Sequence, residues 1–139
     1  MSENKLKIFI SHSSKDEELL KWAIDTIKIA GCEPIYFEHT THDGNVAEKI
    51  ENLIKKADHC IIIYTGNATK SQFVNQEIGY IYKEKGGMTI IKRKKTKLNG
   101  FIYGYDSMMI NDTEKLIRKL KLLNKEFDEF DYLDALNKQ

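Results

Sequence analysis

Apolar and polar positions fall in short blocks along this chain, and the period of the pattern switches repeatedly between two and nearly four. Residues 6–10 (LKIFI) form a β-rich run, with Ser11-His-Ser-Ser14 as the turn behind it. Ser14 then precedes Asp16, Glu17 and Glu18, an N-cap with acidic residues in the first helical turn. Leu19, Leu20, Ala23, Ile24 and Ile27 follow at helical spacing, and Gly31 ends that helix. Residues 34–37 (PIYF) are a second strand, with the proline at its start where it costs no ladder bond. Past the polar loop 38–44, Val46, Ile50, Leu53, Ile54 and Ala57 make one helical stripe. Residues 59–64 (HCIIIY) are apolar almost throughout, so this third strand is expected at the centre of a sheet, covered on both faces.

A third helix over 73–85 stops at Gly86-Gly87, and residues 88–91 (MTII) are a fourth strand. Beyond Asn99-Gly100, residues 107–110 (SMMI) make a fifth, and Asn111 or Asp112 caps a last helix that runs past Phe127. Strands alternating with helices through short connections predict an α/β fold, a five-stranded parallel sheet with helices on both faces. On the last helix Leu116, Leu120, Leu123, Phe127 and Phe130 recur at spacings of four, three, four and three. That stripe is expected to pack on the sheet. Its far end, in a helical extension over 126–139 of the domain 1–125, is expected to fold back or to meet another copy.

At 139 residues the chain is long enough for one core and too short for two. A net charge of +1 argues against a dedicated nucleic-acid binder. The one basic run, Lys92-Arg-Lys-Lys95 with Lys97, reads first as a solvated loop and second as a contact for phosphate or an anionic partner. Cys32 and Cys60 sit in or beside apolar runs without metal-ligand spacing, which fits buried free thiols in a reducing cytoplasm. No apolar signal region or membrane-length run occurs, so the expected location is cytoplasmic, with no membrane partner.

The candidate chemistry lies in Ser71-Gln-Phe-Val-Asn-Gln-Glu77, at the opening of the third helix. Phe73 and Glu77, four residues apart, share one helical face. An aromatic plane beside a carboxylate suits a flat cationic heterocycle attached to a sugar, and open α/β folds bind ligands at this edge of the sheet. Each residue also has a plain structural reading. Glu77 would complement the helix dipole, and Phe73 would be core. Other α/β chemistries are excluded by residue type. No glycine-rich turn ends in Lys-Ser or Lys-Thr, and the first strand leads into Ser11-His-Ser-Ser14 rather than a dinucleotide fingerprint. Ser11 and Thr65-Gly66 stand where a phospho-acceptor receiver needs aspartates. His39 and His42 have no third ligand nearby, so no metal site is expected.

Three motifs in order resemble the Toll/interleukin-1 receptor (TIR) domains. Ile8-Phe-Ile-Ser-His-Ser-Ser-Lys-Asp16 is similar to that family's first-strand motif in its common bacterial form. Ile35-Tyr-Phe-Glu38 with the loop to Gly44 resembles its second strand and BB loop. Residues 71–77 match its Ser-x-Trp-Cys-x-x-Glu pattern at Ser71 and Glu77, with Phe73 in place of Trp and Val74 in place of Cys. Phenylalanine keeps a stacking face of smaller area. The fourth strand also departs from the family, running into the basic loop with no proline.

The resemblance implies a flavodoxin-like fold and either of two activities. Many bacterial TIR domains cleave NAD+ at the nicotinamide–ribose bond, in antiviral defence; many animal ones only assemble with other TIR domains. The NAD+-cleaving alternative is expected here, with NAD+ as substrate and no cofactor. Glu77 is then the catalytic carboxylate. By positional matching Phe9, Ser11 and His12 line one side of the substrate pocket and Tyr36 another, with Phe73 beneath. Tyr36 reads equally as a half-buried strand tyrosine, and His12 as a polar contact rather than an acid or base. The loop from Glu38 to Gly44 is the expected surface for self-association or for another TIR domain. Two rivals remain: a non-enzymatic TIR adaptor, and an enzyme like the nucleoside deoxyribosyltransferases.

Overall fold

Five short strands run parallel in the order β2-β1-β3-β4-β5, in a computed structural model that describes residues 5–38 and 46–137. They are β1 (Lys7–Ser11), β2 (Glu33–Tyr36), β3 (His59–Tyr64), β4 (Met88–Lys92) and β5 (Ser107–Met109). Between and after them come α1 (Glu17–Ile29), α2 (Val46–Lys56), the single turn α3 (Gly66–Thr69), α4 (Gln72–Glu84) and α5 (Thr113–Asn137). The sheet is the doubly wound, flavodoxin-like arrangement expected from the alternation of periods. From β1 the chain winds outward to β2, and from β3 it winds the other way to β4 and β5. The strand order therefore reverses between β1 and β3, and a crevice opens there beyond their carboxyl ends.

Period-two alternation on buried strands divides the core into two slabs. Phe9, Cys60, Ile62, Tyr64 and Ile90 face α2, α3 and α4, where they meet Ile54, Ala68, Val74 and Ile81. Ile8, Ile10, Ile61, Ile63 and Ile91 face the opposite way, against Ala23 and Ile27 of α1 and Leu116 and Leu120 of α5. Central β3 contributes to both slabs, which is why it carries no polar alternation. The apolar stripe of the last helix thus packs on the domain itself through Leu116, Leu120 and Leu123. The side chains of Phe127 and Phe130 lie outside the described residues. Trp22 on α1 donates its indole N–H to the Thr113 hydroxyl at 2.9 Å, tying α1 to the start of α5. Pro34 sits on the edge strand β2. Cys32 and Cys60 are buried free thiols, and burial pushes Cys60 up to about 12, leaving it unreactive.

Two local expectations need correction. The first helix is capped by Asp16 rather than Ser14, and the Asp16 carboxylate does not close the helix end at all. It accepts instead from the Thr65 hydroxyl and from the Asn67 amide (2.9 Å), both beyond β3. The turn α3 was not expected, because four residues carry no periodicity; Thr65 caps it by accepting from the Ala68 N–H at 3.1 Å. The basic run after β4 is a loop wound around its own first lysine. Lys92 Nζ donates to the carbonyls of Arg93, Lys94 and Thr96, and the remaining cations are exposed.

Asp16, Thr65 and Asn67 clamp the loop after β1 to the loop after β3 on either side of the crevice. Removing the carboxylate leaves the buried Thr65 hydroxyl without its acceptor, at a cost of about 1–3 kcal/mol, while the exposed Asn67 amide can turn to water. Asp16→Ala is therefore expected to lower unfolding free energy by about 1–3 kcal/mol in urea titration, with Asp16→Asn less damaging. A loss no larger than that of an ordinary surface substitution would dismiss the clamp.

Candidate functional site

Helix α4 begins at Ser71, whose hydroxyl accepts from the Val74 N–H at 3.2 Å. Asn75 braces the corner between α3 and α4, donating to the carbonyls of Ser71 (2.8 Å) and Thr69 (3.2 Å). This fixed start sets the rotation of the helix. Val74, Ile78 and Ile81 point into the core, and Glu77, on the same inward side, is carried beneath the surface.

Glu77 is 4 % exposed and lies in the second helical turn, beyond the first-turn positions where the dipole term is strongest. The dipole therefore does not account for its place. Its Oε1 accepts a hydrogen bond from Ser11 Oγ at 3.2 Å. Ser11 closes β1 two residues after Phe9, so its side chain leaves the sheet on the α4 side. Burial pushes the Glu77 carboxyl up to about 8, against the pull of the Ser11 hydrogen bond. Desolvation thus favours the neutral carboxylic acid over the carboxylate at this position.

That acid opens on a cleft of about 630 Å³ between α2 and α4. Ala47, Ile50 and Ile54 form its α2 wall; Phe73, Glu77 and Tyr80 line the α4 side. Phe73 is 48 % exposed, which rules out the core reading and leaves an aromatic surface open beside the carboxyl. An apolar cleft with one buried titratable group has the make-up of a small-molecule site.

The remaining expected residues do not all converge here. Phe9 is fully buried among Ile62, Tyr64 and the helices over them, so it supports the site as core and has no surface to offer a ligand. His12, also buried, and Tyr36 line a separate hollow of about 420 Å³ on the α1 side, with Glu17, Lys21 and Glu38. Tyr36 is half-buried and packs on the core slab under α1. The two hollows flank the end of β1, since consecutive residues Ser11 and His12 serve opposite sides. The loop 39–45, with His39, His42 and Gly44, lies outside the described residues. Among the described residues no group of three His, Cys, Asp or Glu side chains is placed to hold a metal ion, and no helix is long and apolar enough to cross a membrane.

The α2 wall was legible only as the core stripe through Ile50 and Ile54, and Tyr80 was not singled out. Their one separate signal is Gly79, a glycine inside a helix with no positive φ to require it.

The TIR domain family model matches residues 8–98, a span that holds both the Ser11 strand and the Glu77 helix. A probable 2' cyclic ADP-D-ribose synthase of Methanobrevibacter olleyae is 27% identical over 84 residues, which cover 59% of this chain. The chain spans only 25% of that relative's length. Among solved structures, a CMP N-glycosidase of Clostridium botulinum superposes with a TM-score of 0.59 at 15% identity, over 84% of this chain and 98% of that one. A flavo di-iron protein mutant of Thermotoga maritima also gives 0.59 at 15% identity, over 90% of this chain and 36% of its own. Both likenesses show the doubly wound fold. The family match, extending over most of the chain and through both halves of the candidate site, shows that the chain belongs to the TIR-domain family.

Proposed function

We propose that this TIR domain cleaves the nicotinamide–ribose bond of NAD+, with Glu77 as the catalytic carboxylate. The observation that carries the reading is the buried Glu77 carboxyl, held by Ser11 and sharing one cleft with the exposed ring of Phe73. The cyclic ADP-ribose chemistry in the name of the Methanobrevibacter olleyae relative supports it.

The reaction asks little of the protein. The pyridinium of NAD+ is cationic, and when its bond to the ribose C1' breaks it takes the electron pair and departs neutral. No general acid is needed, unlike glycoside cleavage, where the leaving oxygen must be protonated. No metal or other cofactor is needed either. The positive charge moves onto the ribose as an oxocarbenium-like centre. A carboxylate beside it stabilises that charge and can hold the ribose hydroxyls. Water then attacks C1', losing a proton, to give ADP-ribose; a hydroxyl of the same molecule attacking in its place, with loss of its proton, gives a cyclic product. Phe73 offers its face to the flat ring. The nucleotide product, or the depletion of NAD+, would serve as a signal in antiviral defence, with assembly through the loop 38–44.

Nicotinamide release, followed by chromatography on incubation with NAD+, tests the reading directly. Glu77→Gln should retain the fold and lose roughly a hundredfold or more of kcat. A folded variant with half the wild-type rate would exclude Glu77 from the chemistry.

The same carboxyl dictates two pH effects. In the free protein it must ionise before it can stabilise a cation, so kcat/KM should climb with pH towards about 8. The break in kcat should lie lower, because a bound pyridinium favours the carboxylate. A profile flat from about pH 6 to 9 would contradict this.

Stability runs the other way. A carboxyl whose folded pKa is raised from 4.5 to about 8 contributes fully below pH 4.5, and that contribution is lost as pH rises through about 8. Glutamine cannot ionise and loses nothing. Glu77→Gln should match the wild type in Tm near pH 4.5 and exceed it by several degrees above about pH 8. Equal Tm values at both extremes would mean that the carboxyl is not desolvated.

Phe73→Ala should raise KM for NAD+ severalfold, since ring stacking contributes about 0.5–1.5 kcal/mol, and Phe73→Trp should hold or lower it. Because Phe73 is half exposed, neither change should unfold the domain; an unfolded alanine variant would return Phe73 to the core.

A further inference from the structure

The cleft between α2 and α4 extends beyond the carboxyl that the chemistry uses. From Phe73 and Glu77 it continues along α4 past Gly79 and Tyr80 to Lys83, with Glu51 on the α2 side. Its volume of about 630 Å³ is in the range of sites that take drug-sized ligands. We infer that Lys83 is a substrate-positioning residue that binds the diphosphate of the dinucleotide, an inference that rests on the proposed NAD+ reading.

Three observations carry it. Lys83 lies six residues beyond Glu77 on the same helix, about 9 Å along the axis. With C1' of the ribose at Glu77, the diphosphate of a nucleotide laid along the helix reaches the level of Lys83. Gly79 stands between them, well inside α4, where glycine costs about 0.8–1.0 kcal/mol relative to alanine. Its φ is not positive, so the backbone does not call for glycine. Gly79 lines the cleft between Glu77 and Lys83, and glycine adds no side chain there. Finally, the far end of the cleft is held in place. Lys85 Nζ donates to the Lys55 carbonyl at 3.1 Å, bridging the C-terminal ends of α2 and α4 just past Lys83. The α4 lysine lining the cleft is thus Lys83, while Lys85 is spent on the frame. Among the described residues Glu51 is the one other charged lining residue besides Glu77, and a carboxylate there suits a sugar hydroxyl rather than a phosphate.

Ligands with and without a diphosphate separate this role from that of a solvated helix lysine. With the full chain and NAD+ cleavage as the assay, Lys83→Ala should raise KM for NAD+ roughly tenfold with kcat little changed. It should weaken competitive inhibition by ADP-ribose by a similar factor and leave inhibition by nicotinamide, which has no phosphate, unaltered. Lys83→Arg should restore most of the loss. Unchanged KM and ADP-ribose inhibition in Lys83→Ala would overturn the inference and leave the NAD+ reading standing, as would equal weakening of ADP-ribose and nicotinamide. Absence of nicotinamide release by the wild type would overturn the NAD+ reading itself, and the inference with it.

Discussion

One hydrogen bond joins the two halves of the candidate site, from the Ser11 hydroxyl at the end of β1 to the Glu77 carboxyl on α4. Sixty-six residues separate the partners, so the contact exists only once β1 lies beside β3 and the crossover helix α4 has packed on the sheet. Much of the surrounding structure keeps that arrangement in place. Ser71 and Asn75 fix where α4 starts and hence which way Glu77 points. Phe9, two residues before Ser11, anchors the strand in the core on the same side. The clamp of Asp16 on Thr65 and Asn67 holds the two loops across the crevice. A binding site at a reversal of strand order needs such a tie, because the chain diverges there and no continuous backbone spans the gap.

The broad architecture was legible because the signals that define it are collective. An unbroken apolar run in β3 marks a strand with two buried faces, and five-residue stripes on the helices mark one buried face each. The bounds of the five strands came within one residue. Single side chains were harder to place, because a side chain's fate depends on what the fold brings to it. Asp16 has the position of a helix cap and is used elsewhere, since Thr65 and Asn67 arrive from 49 and 51 residues away. Tyr36 and His12 belong to the right end of the right strands, yet they serve the α1 side, because alternation at the end of β1 separates His12 from Ser11. Phe73 and Glu77 were recoverable as a pair from their spacing of four. That one is half exposed and the other buried depends on α2, whose stripe reads as ordinary core.

Burying a carboxyl is costly only while it is charged. The raised pKa of Glu77 favours the neutral acid and lowers that cost for the folding protein, with the Ser11 hydroxyl satisfying one oxygen. It also gives the cleft a preference. An uncharged ligand finds a neutral acid and gains a hydrogen bond at most. A cationic ring favours ionisation, and its binding is linked to release of the proton. Under the proposed function the carboxylate would thus form where and when a positive charge needs it, in a low-dielectric setting where their attraction is strong. On the proposed reading this is also why so few polar groups suffice. The substrate brings its own positive charge, and that charge passes from the pyridinium to the ribose as the bond breaks. A carboxylate placed between the two positions loses little as the charge moves, and gains as the oxocarbenium forms. On the same reading the apolar lining of Ile50 and Ile54 would act on the chemistry as well as on the fold, by lowering the polarity around that contact.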